Sequence, residues 1–223
     1  MKLDPKTISI LSNFHTINQS IAIQPGSVLK TISQTDSMFA VAKVPDTFPA
    51  PLAIYDISKF LAILSLSKEH DITFADKYML IKFPDRGNSC TKYFYANPDL
   101  IKTPPNKSVK ATNPYCQFHL PWDVLSTTLK AMLILKYNEI AFIGDGKKLT
   151  LSAINSKDDE SSSYSTELGD TSKVFTCIIE VEKLKLINDD YNVTISTEGV
   201  ANFKGSAVEY WIVYNAKSQF GDK

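Results

Sequence analysis

The run Ala53-Ile54-Tyr55-Asp56-Ile57-Ser58-Lys59-Phe60-Leu61-Ala62-Ile63-Leu64-Ser65-Leu66 holds a short amphipathic helix together with its own start signal. Asp56 offers a side-chain acceptor to the unpaired N–H groups of a first helical turn. Ile57, Phe60, Leu61 and Leu64 then recur at helical spacing, a stripe that buries one face and leaves Lys59 on the far side. Three other segments follow the same plan. The first begins at Asp4-Pro5, a cap followed by Pro at the first helical position. Ile10, Phe14, Ile17 and Ile21 form its apolar stripe, and Lys6, Ser9, Asn13 and Thr16 share another face. A third follows Pro121, with Val124, Leu125, Leu129 and Met132 facing in and Asp123, Ser126, Thr127 and Lys130 facing out. The fourth, Val181 to Ile187, sets Lys183 and Lys185 among Val181, Leu184 and Ile187.

Strands are expected between these helices, from β-branched and aromatic alternation bounded by turn residues. In the first half they are Gly26 to Ser33, Met38 to Val44, Tyr78 to Phe83 and Cys90 to Tyr95. The second half adds Glu139 to Ile143, Leu149 to Ala153, Ser163 to Leu168, Val174 to Ile179, Tyr191 to Ile195, Val200 to Lys204 and Glu209 to Tyr214. Gly144-Asp145-Gly146-Lys147 joins two of them as a hairpin turn; it lacks the GxxxxGK[ST] spacing of a phosphate loop. The helix starts near residues 4, 56, 122 and 181 recur at roughly 50 to 65 residues, each followed by strands, the mark of internal duplication. Between Pro98 and Pro121 the chain is rich in Pro (Pro98, Pro104, Pro105, Pro114) and poor in apolar periodicity, as an extended connector is. Two similar α+β domains are therefore expected: residues 1–108, the end of a connector at 109–115, and residues 116–223.

Composition narrows the function. Of 223 residues, 43% are hydrophobic and 22% charged, a globular profile that excludes collagen, coiled coil and wholesale disorder. Lys plus Arg equals Asp plus Glu at 24 each, so any nucleic-acid surface must come from segregated charge. Arg86 is the only arginine, which removes the bidentate forks that read guanine edges and clamp phosphates. Cys90, Cys116 and Cys177 are odd in number and widely spaced, as small hydrophobes of a reduced intracellular protein are. No signal-peptide run and no stretch of eighteen apolar residues is present.

Catalytic constellations are missing. His15, His70 and His119 stand alone, no cysteine has metal-ligand spacing, and GxSxG, GxGxxG and kinase signatures are absent. Asp158-Asp159-Glu160 and Asp189-Asp190 read as solvated loops, and the sequons at Asn18, Asn106 and Asn192 carry no meaning without secretion. No metal and no cofactor are expected. What recurs is lysine on or beside every helix: Lys2, Lys6, Lys59, Lys68, Lys130, Lys136, Lys183 and Lys185. Gathered on one surface, they would touch phosphates without reading bases.

These residues resemble a known family over essentially the whole chain. Met1-Lys2-Leu3, Asn13-Phe14-x-Thr16-Ile17-Asn18, the run from Ala53 to Leu66, Tyr164-Ser165-x-x-Leu168-Gly169-Asp170 and the closing strand to Tyr214 resemble the sliding clamp (DNA polymerase processivity factor) of T-even-type bacteriophages. That family is similar in fold to proliferating cell nuclear antigen. The resemblance implies duplicated clamp domains with antiparallel sheets outside and four short helices inside, closing as a homotrimeric ring around duplex DNA. It implies a non-enzymatic tether that confers processivity on the phage DNA polymerase, loaded by an ATP-driven clamp loader in the cytoplasm of the infected bacterial host. Late-transcription factors are expected as further partners. The eight lysines would face DNA. Subunits would join through Tyr93, Phe94 and Tyr95 on one edge and Tyr164, Thr166 and Leu168 on the other. Partner peptides would enter an apolar pocket beside the connector, with Pro104, Pro105, Val109, Tyr214 and Phe220 as candidates. The alternative is a non-enzymatic phage DNA-binding or structural β-rich protein that shares only the architecture; it requires no self-association, so the mass in solution separates the two.

Overall fold

The computed structural model describes residues 1–87, 89–105, 113–158 and 161–221. The chain forms two compact units, Met1–Asn106 and Lys107–Lys223. In the first, α1 (Pro5–Ile17) leads into β1 (Ile21–Ile23), β2 (Gly26–Ile32), β3 (Met38–Phe48) and β4 (Leu52–Ile54). Then come α2 (Ile57–Leu64), β5 (Asp71–Phe74), β6 (Tyr78–Phe83) and β7 (Ser89–Phe94). All pairings within this unit are antiparallel: β1 with β4, β2 with β3, and the meander β5-β6-β7. The second unit contains β8 (Pro114–Leu120), α3 (Trp122–Leu135), β9 (Glu139–Asp145), β10 (Lys148–Ile154), β11 (Tyr164–Asp170) and β12 (Val174–Glu180). It closes with β13 (Tyr191–Ser196), β14 (Val200–Lys204), β15 (Val208–Val213) and β16 (Gln219–Phe220). One sheet here runs β11-β10-β9-β12-β16, and β8, β13, β14 and β15 pair in that order.

Local chemistry explains the helices of the first unit. Asp4 accepts from the Lys6 N–H at 2.7 Å and Asp56 from the Lys59 N–H at 2.9 Å, so both expected caps are made. The stripes bury Ile10, Leu11, Phe14 and Ile17 on α1 and Ile57, Phe60 and Leu64 on α2, while Leu61 remains half-buried. Ile21, expected on the α1 stripe, lies instead in β1. Asn18 ends the helix: its side chain donates to the Ile32 carbonyl at 2.9 Å and accepts from the Ser20 N–H at 3.1 Å. Only 3% exposed, this asparagine is also sealed from glycosylation.

The second unit departs from the expectation at its fourth helix. Val181–Lys183 makes one 3₁₀ turn, so the described residues hold three α-helices. The reason is competition for Ile187. The Tyr191 hydroxyl donates to its carbonyl at 2.5 Å, and its N–H donates to the Tyr210 hydroxyl at 3.2 Å. The Tyr210 hydroxyl thereby takes an N–H that a helix would have used, and Glu180 supplies no cap to start one. Both tyrosines are fully buried, with rings 6.1 Å apart, in a core shared with Phe203 and Phe142. The Gly144-to-Lys147 segment is the expected hairpin turn, with Gly146 at φ +87. Asp145 accepts from the N–H groups of Lys147 and Lys148. Gly144 is required by packing: a Cβ there would meet the Lys173 carbonyl oxygen at 2.5 Å and the Phe175 ring.

Candidate nucleic-acid interface and subunit edges

Each amphipathic helix that buries a stripe must turn its remaining face outward, and the lysines lie on those faces. Lys6 on α1 and Lys59 on α2 are exposed, as is Lys68 in the loop after α2. Lys2 is exposed and lies 3.7 Å from the Glu69 carboxylate, a pair too open to water to fix its position. In the second unit Lys130 is exposed on α3 and Lys136 caps it in the left-handed conformation, φ 58. Among the described residues, none of Lys6, Lys59, Lys68, Lys130 and Lys136 makes an ion pair. Lys183 differs. It is half-buried, sits 2.7 Å from Glu180, and donates to the Val213 carbonyl. Burial pushes the Glu180 carboxyl up, but the Lys183 ammonium and the Asn215 amide outweigh it and hold the group below its ordinary range. Lys185 is half-buried too. Because the fourth segment is not a helix, its lysines lack the outward face that α1, α2 and α3 provide.

The two strands singled out as subunit edges are outer strands of their sheets. β7 ends the β5-β6-β7 meander and β11 ends the β11-β10-β9-β12-β16 sheet. Strand alternation splits the first set: Tyr93 points inward, edge-to-face on Phe60 at 5.6 Å, whereas Phe94 is 62% exposed. Tyr95 follows the strand, half-buried, its N–H donating to the Lys77 carbonyl. Tyr164, Thr166 and Leu168 are half-buried along β11, and the Thr166 hydroxyl donates to that of Tyr164 at 3.1 Å. Glu167 and Asp170 share the Lys148 ammonium at 2.6 and 2.9 Å and hold it above the usual lysine range.

Of the candidate pocket residues, Pro104 is half-buried, Pro105 is exposed and Val109 lies outside the described residues. Tyr214 is buried; its hydroxyl donates to the Ser196 carbonyl and accepts from the Gly199 N–H. Phe220 joins an aromatic cluster with Tyr115, Phe175 and Tyr214. Among the described residues, no three His, Cys, Asp or Glu side chains are grouped to hold a metal, and no helix is long and apolar enough to cross a membrane.

Comparison with known proteins decides what this combination is. Residues 2–95 match the DNA polymerase processivity factor family, and residues 123–216 match the family described as gp45 sliding clamp, C terminal. The chain belongs to the sliding-clamp family of DNA polymerase processivity factors. It is 29% identical to the sliding clamp of Vibrio phage KVP40 over 97% of this chain and 100% of that protein. With the sliding clamp of Enterobacteria phage T4 it shares 26% identity over 98% of both. A solved structure described as the C-terminal region of FEN-1 bound to PCNA of A. fulgidus has the same fold, with TM-score 0.69, 12% identity and 98% of both chains covered.

Within this clamp, sequence reasoning missed two apolar features. Tyr55 beside α2 is 57% exposed and, with Asp56, Lys59, Ile63, Tyr93 and Phe94, lines a groove next to β7. Leu133 and Ile134, near the end of α3, are 68% and 80% exposed. The signal was present: Leu133-Ile134-Leu135 is an apolar run wider than one helix face can bury.

Proposed function

We propose that three copies of this chain close into a ring around duplex DNA and tether the replicative phage polymerase in the infected bacterial cell, with no catalysis by the ring itself. The observation that carries this reading is the set of exposed, ion-pair-free lysines on the helix faces of both units: Lys6 and Lys59 in the first, Lys130 in the second. Such ammonium groups are mobile point charges; they neutralise phosphates without fixing a register, so a ring can slide. A closed ring cannot leave sideways, so retention on DNA needs no strong contact, and the polymerase gains a high effective concentration at the primer end. Subunits join through the outer strands β7 and β11, whose unpaired backbone groups invite pairing and whose head-to-tail contact closes where the rotation fits. Closure requires an opening step, which assigns a part to an ATP-driven loader. Tyr214 and Phe220, in the aromatic cluster with Tyr115 and Phe175, offer the docking surface for partner peptides of the polymerase, the loader and late-transcription proteins. The A. fulgidus complex, in which a protein of this fold is bound by the C-terminal region of FEN-1, supports the docking of partner segments on such a fold.

The test is topological. The protein is loaded onto nicked circular DNA with the phage loader and ATP, then passed through a sizing column in high salt. Co-elution with the circle, lost when a restriction enzyme linearises it, is expected. Equal retention on linear and circular DNA, or no retention on either, would sink the ring reading.

A further inference from the structure

We infer that a cavity beside the β1–β4 ribbon of the first unit receives one arginine side chain from a partner protein. The cavity has a volume of about 210 Å³. Ile23, Leu52 and Ala53 line it and are buried, so they form an apolar floor, continued by the half-buried Ala22 and Ala96. Ala22 stands directly opposite Ala53 and Ile23 opposite Leu52, and the paired alanines leave room that larger side chains would fill. Pro51 and Pro98, both exposed, stand at the mouth with the half-buried Tyr95. A single charge lines the cavity, the exposed carboxylate of Asp76. Asp99 follows Pro98 and is exposed too, whereas Lys77, next to Asp76, does not line it. None of these residues belongs to the lysine-bearing helix faces or to the Tyr115–Phe220 cluster, and Tyr95 lies past the end of β7.

Backbone bonds hold the walls in place. The Ala96 N–H donates to the Ala53 carbonyl at 2.9 Å, which carries the chain from β7 along β4. The Tyr95 N–H donates to the Lys77 carbonyl at 3.1 Å, and the Ala75 N–H to that of Tyr78 at 2.9 Å. Asp76 therefore sits in a closed turn that is bonded to the residue carrying the aromatic ring. Chemistry selects the occupant of such a site. The cavity is smaller than those that enclose a drug-sized ligand or cofactor, so what enters is one side chain. Asp76 repels a phosphate, and a purely apolar side chain would desolvate that carboxylate without meeting it. Arginine answers every part. Its methylene stem lies on the apolar floor, and its guanidinium stacks on an aromatic ring while its fork bonds a carboxylate. Lysine brings the charge but no planar face to lie against Tyr95. Asp76 is open to such a partner, since among the described residues it enters no ion pair. A second copy of the chain could offer only Arg86, which is held in a tight 3₁₀ turn.

The test uses the full-length chain. A library of random heptapeptides is selected on the unaltered protein and depleted on Asp76→Asn, whose exposed position should leave the thermal midpoint unchanged. Arginine is expected at one position of the peptides that remain. One such peptide, added to protein labelled at its Ala, Ile and Leu methyl groups, should shift the signals of Ala22, Ile23, Leu52, Ala53 and Ala96. Replacing its arginine by citrulline keeps the shape and drops the charge, and should weaken binding about fivefold, the worth of one partly exposed ion pair with its aromatic contact. Ala96→Phe, which fills the cavity, should abolish the shifts. Failure to recover any peptide that depends on Asp76, recovered peptides without arginine, or methyl shifts confined to other residues would each overturn the inference. Equal binding of the citrulline peptide would do the same. So would a second copy as the occupant, seen as weaker self-association in both Arg86→Gln and Asp76→Asn.

Discussion

The two units repeat one plan, a helix followed by strands, but they reach it by different means. In the first, each helix carries its own instructions: Asp4 and Asp56 cap α1 and α2 from within, and Pro5 sits at the first helical position. In the second, α3 has no side-chain cap of its own. Its Trp122 N–H donates instead to the Asp190 carboxylate at 2.7 Å, from a turn far along the chain. The fourth segment, given neither cap nor free backbone, remains a 3₁₀ turn held by Tyr191 and Tyr210. Local signals build one unit and tertiary contacts the other, and the lysines follow: those on α1, α2 and α3 face outward, whereas Lys183 is tied back.

Tyr210→Ala should break the second unit most severely. It removes a fully buried ring and the acceptor of the Ile187 N–H. A loss of about 3–5 kcal/mol is expected, read as faster hydrogen exchange through β13, β14 and β15 with protection in β5, β6 and β7 retained. Equal loss in both units would show that they unfold as one body, and the contrast between them would fail.

Charge reversal comes next. Lys59→Glu and Lys130→Glu, one in each unit, should together abolish processive synthesis while leaving the thermal midpoint within error. Each lysine that contacts a phosphate contributes about 0.9 to the slope of log affinity against log salt, so both singles should flatten that slope. Neutralising Lys183, as Lys183→Gln, should barely change it, because Glu180 already occupies that ammonium. A Lys183→Gln effect as large as that of the other two would place the 3₁₀ segment on the DNA after all.

What the sequence made legible tracks this division. α1, α2 and α3, the hairpin at Asp145 and Gly146, and most strands were visible because their cues are local: a cap, a stripe, an alternation. β1, β4, β5 and β16 were missed because two to four residues are too few to show a period, and β8 was not delimited because it follows directly on the Pro-rich stretch. The fourth helix was overread, since its apolar spacing is genuine and only Tyr191 and Tyr210, from other strands, overrule it. For the site, lysine recurrence was visible, but which ammonium is tied back was not, because Lys183 meets Val213 thirty positions away. The outward turn of Phe94 beside an inward Tyr93 depends on a sheet face that no single strand reveals.

Asp190→Ala should have a smaller, local effect. Losing the borrowed cap on α3 should cost about 1 kcal/mol, as should losing the internal cap in Asp56→Ala. The two differ in reach. Asp56→Ala should loosen only the first turn of α2, whereas Asp190→Ala should also raise exchange in the turn leading into β13, since one carboxylate ties both. If exchange rises at Trp122 and its neighbours alone, the cap is a passive acceptor.

Acid should distinguish the units last and most gently, through their histidines. His70 in the first unit is buried, 6% exposed, and its Nε2 accepts from the Leu3 N–H at 3.1 Å, an interaction only the unprotonated nitrogen can make. Burial foremost, then the Lys2 ammonium and the terminal amine, hold its pKa below the usual 6.5, against the smaller opposing pull of Asp46 and Asp71. In the second unit His119 is exposed on β8. For a histidine whose folded pKa is depressed, the unfolded chain binds more protons, so stability rises with pH through this window. The stability difference is complete above about pH 6.5 and erodes as pH falls through the region below it. The thermal midpoint of the parent should therefore fall between pH 7.5 and 5.5 more than that of His70→Gln, whose amide oxygen can still accept from Leu3. Exchange should increase first at Leu3 and β5, with the second unit unaffected. Parallel pH profiles for the two proteins would show that His70 is a packing residue whose protonation the fold does not feel.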